Sequence, residues 1–376
     1  MRQPYEFEKK FGDQIYRCSS CGFCRAVCPV FGLTSRPALN ARGKMLILQE
    51  VLEGRAELSE ELVDTLFQCT TCANCSVHCP SGVEVPEIIK AVRKDMVGSG
   101  TCHPAFAGMK EILDRHTNIY GEDEPEDFGR ERNRRAEYVY FIGCVGQYRE
   151  DEATEETLRL LDRLEVDYTL IDEVCCSGVL EDVGFQMNQD LVDRNVRAIL
   201  ATGAKTVITG CPYCYRTFNN KPRYAALKEA GVRVIHISQF LKDFDWDVRT
   251  DKVVTYHDPC DLGRHTGIYE EPRETIRKIA PNFVELPNAR AEAVCCGAGG
   301  GVRAAFAANS IAMARKRLEE VESVGADVLL TDCNSCLHNL ANAKLRRQKF
   351  KVFTIAQFLN RLLDEARVRP GAKEVA

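Results

Sequence analysis

No run of eighteen apolar residues occurs in the 376-residue chain, so no segment is long and greasy enough to cross a bilayer as a helix. The opening MRQPYEFEKKFGDQ also lacks the apolar stretch of a secretory signal. Basic residues are not in excess: 50 Lys+Arg against 55 Asp+Glu leave a formal net charge of -5, which argues against a broad nucleic-acid-binding surface. A cytoplasmic, mildly acidic protein is expected, reaching the inner face of a membrane only through a partner. Its length suits two or three domains of about 100–200 residues each.

Cysteine is what the chain has in quantity. Nineteen cysteines in a reducing compartment point away from disulfides and towards metal, iron or zinc. Eight lie between residues 18 and 79, five between 144 and 214, and five between 260 and 336. Only Cys102, next to His103, stands outside these groups, and it reads as a single buried thiol.

The charged segment YGEDEPEDFGRERNRRAE at 120–137 offers little to a core and reads as a linker or surface connection. DWDVRTD at 245–251 is a weaker polar break, and a frayed tail is expected after about residue 366. These breaks divide the chain into 1–120, 136–246 and 250–366. The last two are copies of one pattern. VYFIGC (139–144) matches VTYHDPC (254–260), VCC at 174 matches VCC at 294, and GAKTVITGCPYC (203–214) matches GADVLLTDCNSC (325–336). ISQFL (237–241) and IAQFL (355–359) follow in turn.

Within each copy a helical pattern closed by glycine leads into a β-branched run ending at a cysteine. That predicts small α/β domains with parallel strands and cysteines at the strand carboxyl ends, where open sheets hold ligands. The first 120 residues read as helical instead. PEIIKAVRKDMVG (86–98) has proline at its start, and SEELVDTLFQ (59–68) has a candidate serine cap followed by two acids. The fold class is therefore α+β multidomain: a helical domain followed by two repeated α/β cysteine-rich domains.

CSSCGFCRAVCP (18–29) and CTTCANCSVHCP (69–80) both read C-x-x-C-x-x-C-x-x-x-C-P. In this spacing three thiolates embrace one iron-sulfur cube and the fourth reaches the neighbouring cluster. Two cubane [4Fe-4S] clusters are expected: one on Cys18, Cys21, Cys24 and Cys79, the other on Cys69, Cys72, Cys75 and Cys28. The alternative, zinc knuckles, rarely combines so tight a run with a terminal proline. About 40 residues separate Cys28 from Cys69 and include the helix-forming GKMLILQEVLEG, so this part is similar to the α-helical ferredoxins.

Each repeat supplies five cysteines: Cys144, Cys175, Cys176, Cys211 and Cys214, then Cys260, Cys295, Cys296, Cys333 and Cys336. A structural zinc takes four ligands, and so does an ordinary cubane, so five is one too many for either. Adjacent thiolates on different irons of an opened cluster would use all five, with the following glycines letting backbone come close. A vicinal disulfide or a pair of inert buried thiols are the alternatives. GAGGG (297–301) does not match a dinucleotide-binding loop, because no strand ends immediately before it.

The pattern C-x(30)-CC-x(34)-C-x-x-C, then C-x(34)-CC-x(36)-C-x-x-C, resembles the doubled CCG module of heterodisulfide reductase catalytic subunits. With two ferredoxin motifs in front, the chain resembles the D-type subunit from about residue 18 to 360. The resemblance implies a noncubane [4Fe-4S] cluster on each five-cysteine set; zinc in one of the two sites is the alternative. It implies a disulfide substrate of the coenzyme M-coenzyme B type bound between the two, each cluster passing one electron and capturing one thiolate. Electrons would come from a redox partner, a cytochrome b, a flavoprotein or a hydrogenase-type subunit.

Ferredoxin-plus-CCG chains also resemble the iron-sulfur electron-transfer subunits of flavin-dependent glycerol-3-phosphate, glycolate or lactate dehydrogenases, and a zinc-stabilised scaffold is a third reading for the repeats alone. Arg264, His265, Arg303 and His257 stand near the cysteines as candidates for substrate or proton handling, with surface or packing roles as the bland alternative. The resembled family often has histidine directly after the cysteine of HDPC; here that residue is Asp261.

Overall fold

The computed structural model describes residues 4–368. Most of the tail expected after about residue 366 lies outside them. In the amino-terminal part, helices Glu6–Arg17, Ala41–Leu52, Val85–Gly98 and Pro104–His116 surround one apolar core. Phe7, Phe11 and Ile15, spaced by four, put one helix face into it, and Ile88, Ile89, Val92 and Met96 supply another. Ser59 precedes a 3-10 turn (Glu60–Leu62) without capping it through its side chain, so the helix starts only at Val63.

The first α/β unit has four parallel strands: β1 (Tyr138–Phe141), β2 (Tyr168–Thr169), β3 (Thr206–Thr209) and β4 (Arg233–His236), in the order β2-β1-β3-β4. The second has β5 (Val254–Tyr256), β6 (Val328–Leu330) and β7 (Lys351–Phe353), ordered β5-β6-β7. A parallel bridge between Val254 and Phe283 stands where β2 lies in the first unit. The repeat is therefore topological as well as sequential, with one edge strand worn down to a single bridge.

The two units share a hydrophobic core, in which Tyr140, Leu158, Leu161 and Ile237 meet Tyr256, Ile276, Leu330 and Phe358. Helix Asp151–Arg163 of the first packs on Ile355–Val368 of the second, and Ile237–Leu241 of the first packs on Glu270–Ile279 of the second. Because each pair joins the helix after the first strand to the helix after the last, the two units are related by an approximate two-fold. Two polar links cross the same boundary beside the cysteines, Arg216 to Asp261 at 2.7 Å and His338 to Glu150 at 2.6 Å.

The charged segment at 120–137 runs along the first unit. Phe128 is buried in the shared core, Arg132 bridges to Leu170 beside β2, and Arg130 pairs with Glu155 and Asp162.

Candidate metal centres and active site

Both four-cysteine runs adopt the same backbone. Ser20 and Gly22 in the first, and Thr71 and Ala73 in the second, have left-handed φ of 53°, 88°, 52° and 62°. That alternation curls each loop so that its sulfurs converge, and a short helix then carries the third cysteine of each run, Cys24 on Phe23–Val27 and Cys75 on Asn74–Val77. Cys18, Cys21, Cys24 and Cys79 line one pocket, and Cys28, Cys69, Cys72 and Cys75 line a second. Cys75 also borders the first pocket, so the two lie side by side.

In the α/β units the cysteines gather at the carboxyl ends of the strands. Cys144 opens the short helix after β1, Cys211 and Cys214 follow β3, and Cys175–Cys176 lie in the loop after β2. Cys260, Cys295, Cys296, Cys333 and Cys336 repeat this around β5 and β6, with 3.3 Å between the sulfurs of Cys296 and Cys336. Gly143, at a left-handed φ of 79°, leaves little room for a side chain, since a Cβ there would sit 3.1 Å from the Cys214 sulfur.

The donor chemistry fits iron-sulfur groups. All the described cysteines are free thiols, including both adjacent pairs. Burial drives Cys75 well above the ordinary thiol range and Cys28 up to about 11. Hydrogen bonding to Cys144 drives Cys175 well above that range, and bonding to Cys176 does the same for Cys214. Thiols this crowded and dry ionise together only if a cationic centre offsets the repulsion. Backbone N–H groups already point at sulfur, from Ser177 to Cys175, Gly297 to Cys295 and Cys336 to Cys333, each at 3.4 Å.

The helical domain sits over the second five-cysteine set. Cys72 is within hydrogen-bonding reach of Cys295. Arg264 donates to the Cys72 carbonyl at 2.5 Å and to the Ala293 carbonyl at 2.6 Å, and the His265 ring meets the Thr71 carbonyl at 2.8 Å. Both residues thus act as packing ties between domains. The glycine run approaches this loop rather than the thiols: a Cβ on Gly300 would lie 2.4 Å from the Cys69 carbonyl oxygen. Arg303 is held by Asn339, and Cys102 is half-buried with its sulfur 3.4 Å from the His103 carbonyl.

The first set is open instead. A cavity of about 630 Å³ reaches Cys144 and Cys175 and is lined also by Tyr148, Glu173, Arg132 and Arg194. Burial raises the Glu173 carboxyl to about 7, against the N–H groups of Ile142 and Gly143 that donate to it. Arg132 bonds backbone carbonyls of Ile171 and Glu126 and has no carboxylate partner among the described residues; nor does the exposed Arg194. Part of the wall comes from His116, Thr117, Asn118, Asp123 and Asp127, and the Thr117 carbonyl accepts from the Cys175 N–H at 2.9 Å. None of this wall has a sequence signature, since its residues act through chain path rather than spacing.

The cysteine-rich CCG domain matches residues 138–219 and 254–341, and a 4Fe-4S dicluster domain matches 14–83. The D subunit of the dihydromethanophenazine:CoB--CoM heterodisulfide reductase of Methanosarcina acetivorans is 32% identical over 368 residues, covering 88% of this chain and 89% of that protein. The chain belongs to the D-subunit family of heterodisulfide reductases. It is an iron-sulfur oxidoreductase of a kind that works with other redox subunits, and no described helix is long and apolar enough to cross a membrane. The B subunit of the fumarate reductase (CoM/CoB) of Methanothermobacter marburgensis is 29% identical, over 89% of this chain and 68% of that one. Among solved structures, a hypothetical protein from Helicobacter pylori superposes with a TM-score of 0.60 at 10% identity, covering 95% of this chain and 76% of that one, which speaks for the fold alone.

Proposed function

We propose that this protein reduces a small disulfide at its first five-cysteine set, R–S–S–R′ + 2 e⁻ + 2 H⁺ → RSH + R′SH, with electrons supplied one at a time through the rest of the molecule. In this reading Cys18, Cys21, Cys24 and Cys79, and Cys69, Cys72, Cys75 and Cys28, hold two cubane clusters. The sets Cys144, Cys175, Cys176, Cys211, Cys214 and Cys260, Cys295, Cys296, Cys333, Cys336 hold two noncubane clusters. When bound, these groups supply one-electron carriers, and two electrons delivered in succession to the first set meet the two-electron demand of an S–S bond.

The observation that carries the reading is the difference in access. Cys295 lies against Cys72, while Cys144 and Cys175 border the cavity of about 630 Å³. A linear order follows, from the exposed Cys21 edge through Cys75 and Cys72 to Cys295 and on to the cavity. In a wall that also carries Asp123, Asp127 and Asp172, Arg132 and Arg194 are the groups against which an anionic substituent such as those of a coenzyme M-coenzyme B type disulfide would seat. Anaerobically reconstituted protein with intact clusters, supplied with reduced viologen, is expected to release thiol from disulfides. Absence of release would favour the electron-transfer role, in which the chain serves a flavoprotein dehydrogenase.

A redox partner then docks at the exposed Cys21 edge. Phe23, 63% exposed, follows Cys21 by two residues, and Tyr16, 52% exposed, precedes Cys18 by two; Arg25 and Arg42 flank Gly22 and Arg17 adjoins Cys18, none with a carboxylate partner among the described residues. This face suits a redox protein with an apolar centre and an acidic rim, whether a cytochrome b, a flavoprotein or a hydrogenase-type subunit. Reversing two charges, Arg17→Glu with Arg25→Glu, is expected to slow reduction by the protein partner by about tenfold at low salt, while reduction by viologen is unchanged. Stopped-flow absorbance on both reductants checks it.

A further inference from the structure

The two α/β units differ at one buried position beside their thiols. Three residues before Cys144 stands Phe141, fully buried, its ring edge-on to Phe218 at 4.8 Å. Three residues before Cys260 stands His257, 1% exposed. A ring with two polar nitrogens persists in such a place only if both find partners. One partner is Arg317, also fully buried, whose Nε lies 3.0 Å from the His257 Nδ1. The others are the sulfurs of Cys296 and Cys336, which lie with a His257 ring nitrogen in one group no wider than 4.8 Å. Cys296 and His257 are within hydrogen-bonding reach.

Arg317 is itself a departure from the repeat. Its counterpart is Asn195, which bonds the Val174 carbonyl and the Tyr224 hydroxyl and has no histidine to hold. Arg317 is anchored by the Asn288 carbonyl at 2.8 Å and Glu320 at 2.6 Å, so its guanidinium arrives at the ring already oriented. A guanidinium only donates. Nδ1 must therefore accept, and the one proton of the neutral ring sits on Nε2. In that tautomer the nitrogen left for the sulfurs carries an N–H and no free lone pair, so it can donate to a thiolate but cannot coordinate a metal.

We infer that His257, held in this tautomer by Arg317, donates an N–H···S hydrogen bond to Cys296 and raises the reduction potential of the second five-cysteine centre above that of the first. Hydrogen bonds to cluster sulfurs stabilise the more negative, reduced state, and Phe141 offers none. The inference rests on the proposed iron-sulfur clusters at these cysteines. The better electron acceptor is then the site against Cys72, where electrons leave the helical domain, so a single delivered electron rests there rather than at the open cavity.

The test is an EPR-monitored redox titration of the full chain, reconstituted without oxygen, after iron and sulfide analysis. His257→Phe is expected to lower the midpoint of one noncubane signal and leave the other three centres unmoved. His257→Gln, which keeps an N–H, should retain most of the difference, and Arg317→Met, which frees the tautomer, should fall between. Unmoved midpoints in His257→Phe with full iron content would overturn the inference. If that variant loses iron, wild-type protein labelled with ¹⁵N-histidine decides: weak nitrogen coupling supports the donor, and strong coupling shows direct ligation and overturns it. Wild-type protein without iron in the second unit would instead refute the cluster reading itself, which the metal analysis shows before any titration.

Discussion

Serine at both Cys175 and Cys176 is expected to lower the iron content of anaerobically prepared protein from about 16 to about 12 atoms per chain, with acid-labile sulfide falling in parallel. Thiol release from disulfides should be lost with it, while the absorbance and EPR of the two ferredoxin-type centres persist. The reason is crowding: Cys175 and Cys176 are each 5% exposed, and Cys176 lies near Cys214, in a set whose five sulfurs come from three separate chain segments. Serine is a poorer donor for iron, and two lost thiolates leave three for four irons. The same pair in the second unit, Cys295 and Cys296, should show an equal loss of iron and, because Cys295 abuts Cys72, should also block electrons from reaching the first unit. Iron content that stays at its wild-type value in Cys175→Ser/Cys176→Ser would show that the adjacent thiols are inert.

The second large effect is expected at a residue that carries no redox chemistry. Arg93 is fully buried in helix Val85–Gly98, and its guanidinium donates to the carbonyls of Leu66, Phe67 and Cys69 in the helical domain. It donates also to the carbonyls of Asp182 of the first α/β unit at 2.6 Å and Gly300 of the second at 3.1 Å. One side chain thus ties all three parts of the molecule. Arg93→Met fills similar volume but leaves these buried carbonyls unpaired, and a loss of about 3–5 kcal/mol is expected from breaking so buried a charged network. Anaerobic denaturant titration should show the lower midpoint. Since Gly300 and the Cys69–Thr70 loop touch directly, transfer between the domains should slow in the variant even when its irons are retained. Arg93→Lys, with three donors on a point-like head, reaches fewer carbonyls and should be intermediate.

Much of the site is legible in the chain because iron-sulfur ligation is written in short-range spacing. Three cysteines within seven residues, closed by Cys-Pro, need only the local left-handed turns at Ser20 and Gly22, or Thr71 and Ala73, to converge. The crossing of Cys79 and Cys28 between the two pockets follows the same motif. The parallel strands ending at cysteines are equally visible, since β-branched runs and glycine-closed helices are local features. The glycines after the second pair are legible as a close approach, but not as an approach to the Cys69 carbonyl.

The order of residues thus carries the chemistry: which thiols group together, that the module is duplicated, and that the helical part holds its own pair of sites. Only the folded molecule shows that Cys72 meets Cys295, that the first set faces a cavity and the second faces protein, and that Arg317 reaches His257. These contacts join residues far apart in the chain through the packing of whole domains. Hydrophobic and hydrogen-bonding surfaces choose that packing collectively, so no periodicity or spacing within a single segment records it.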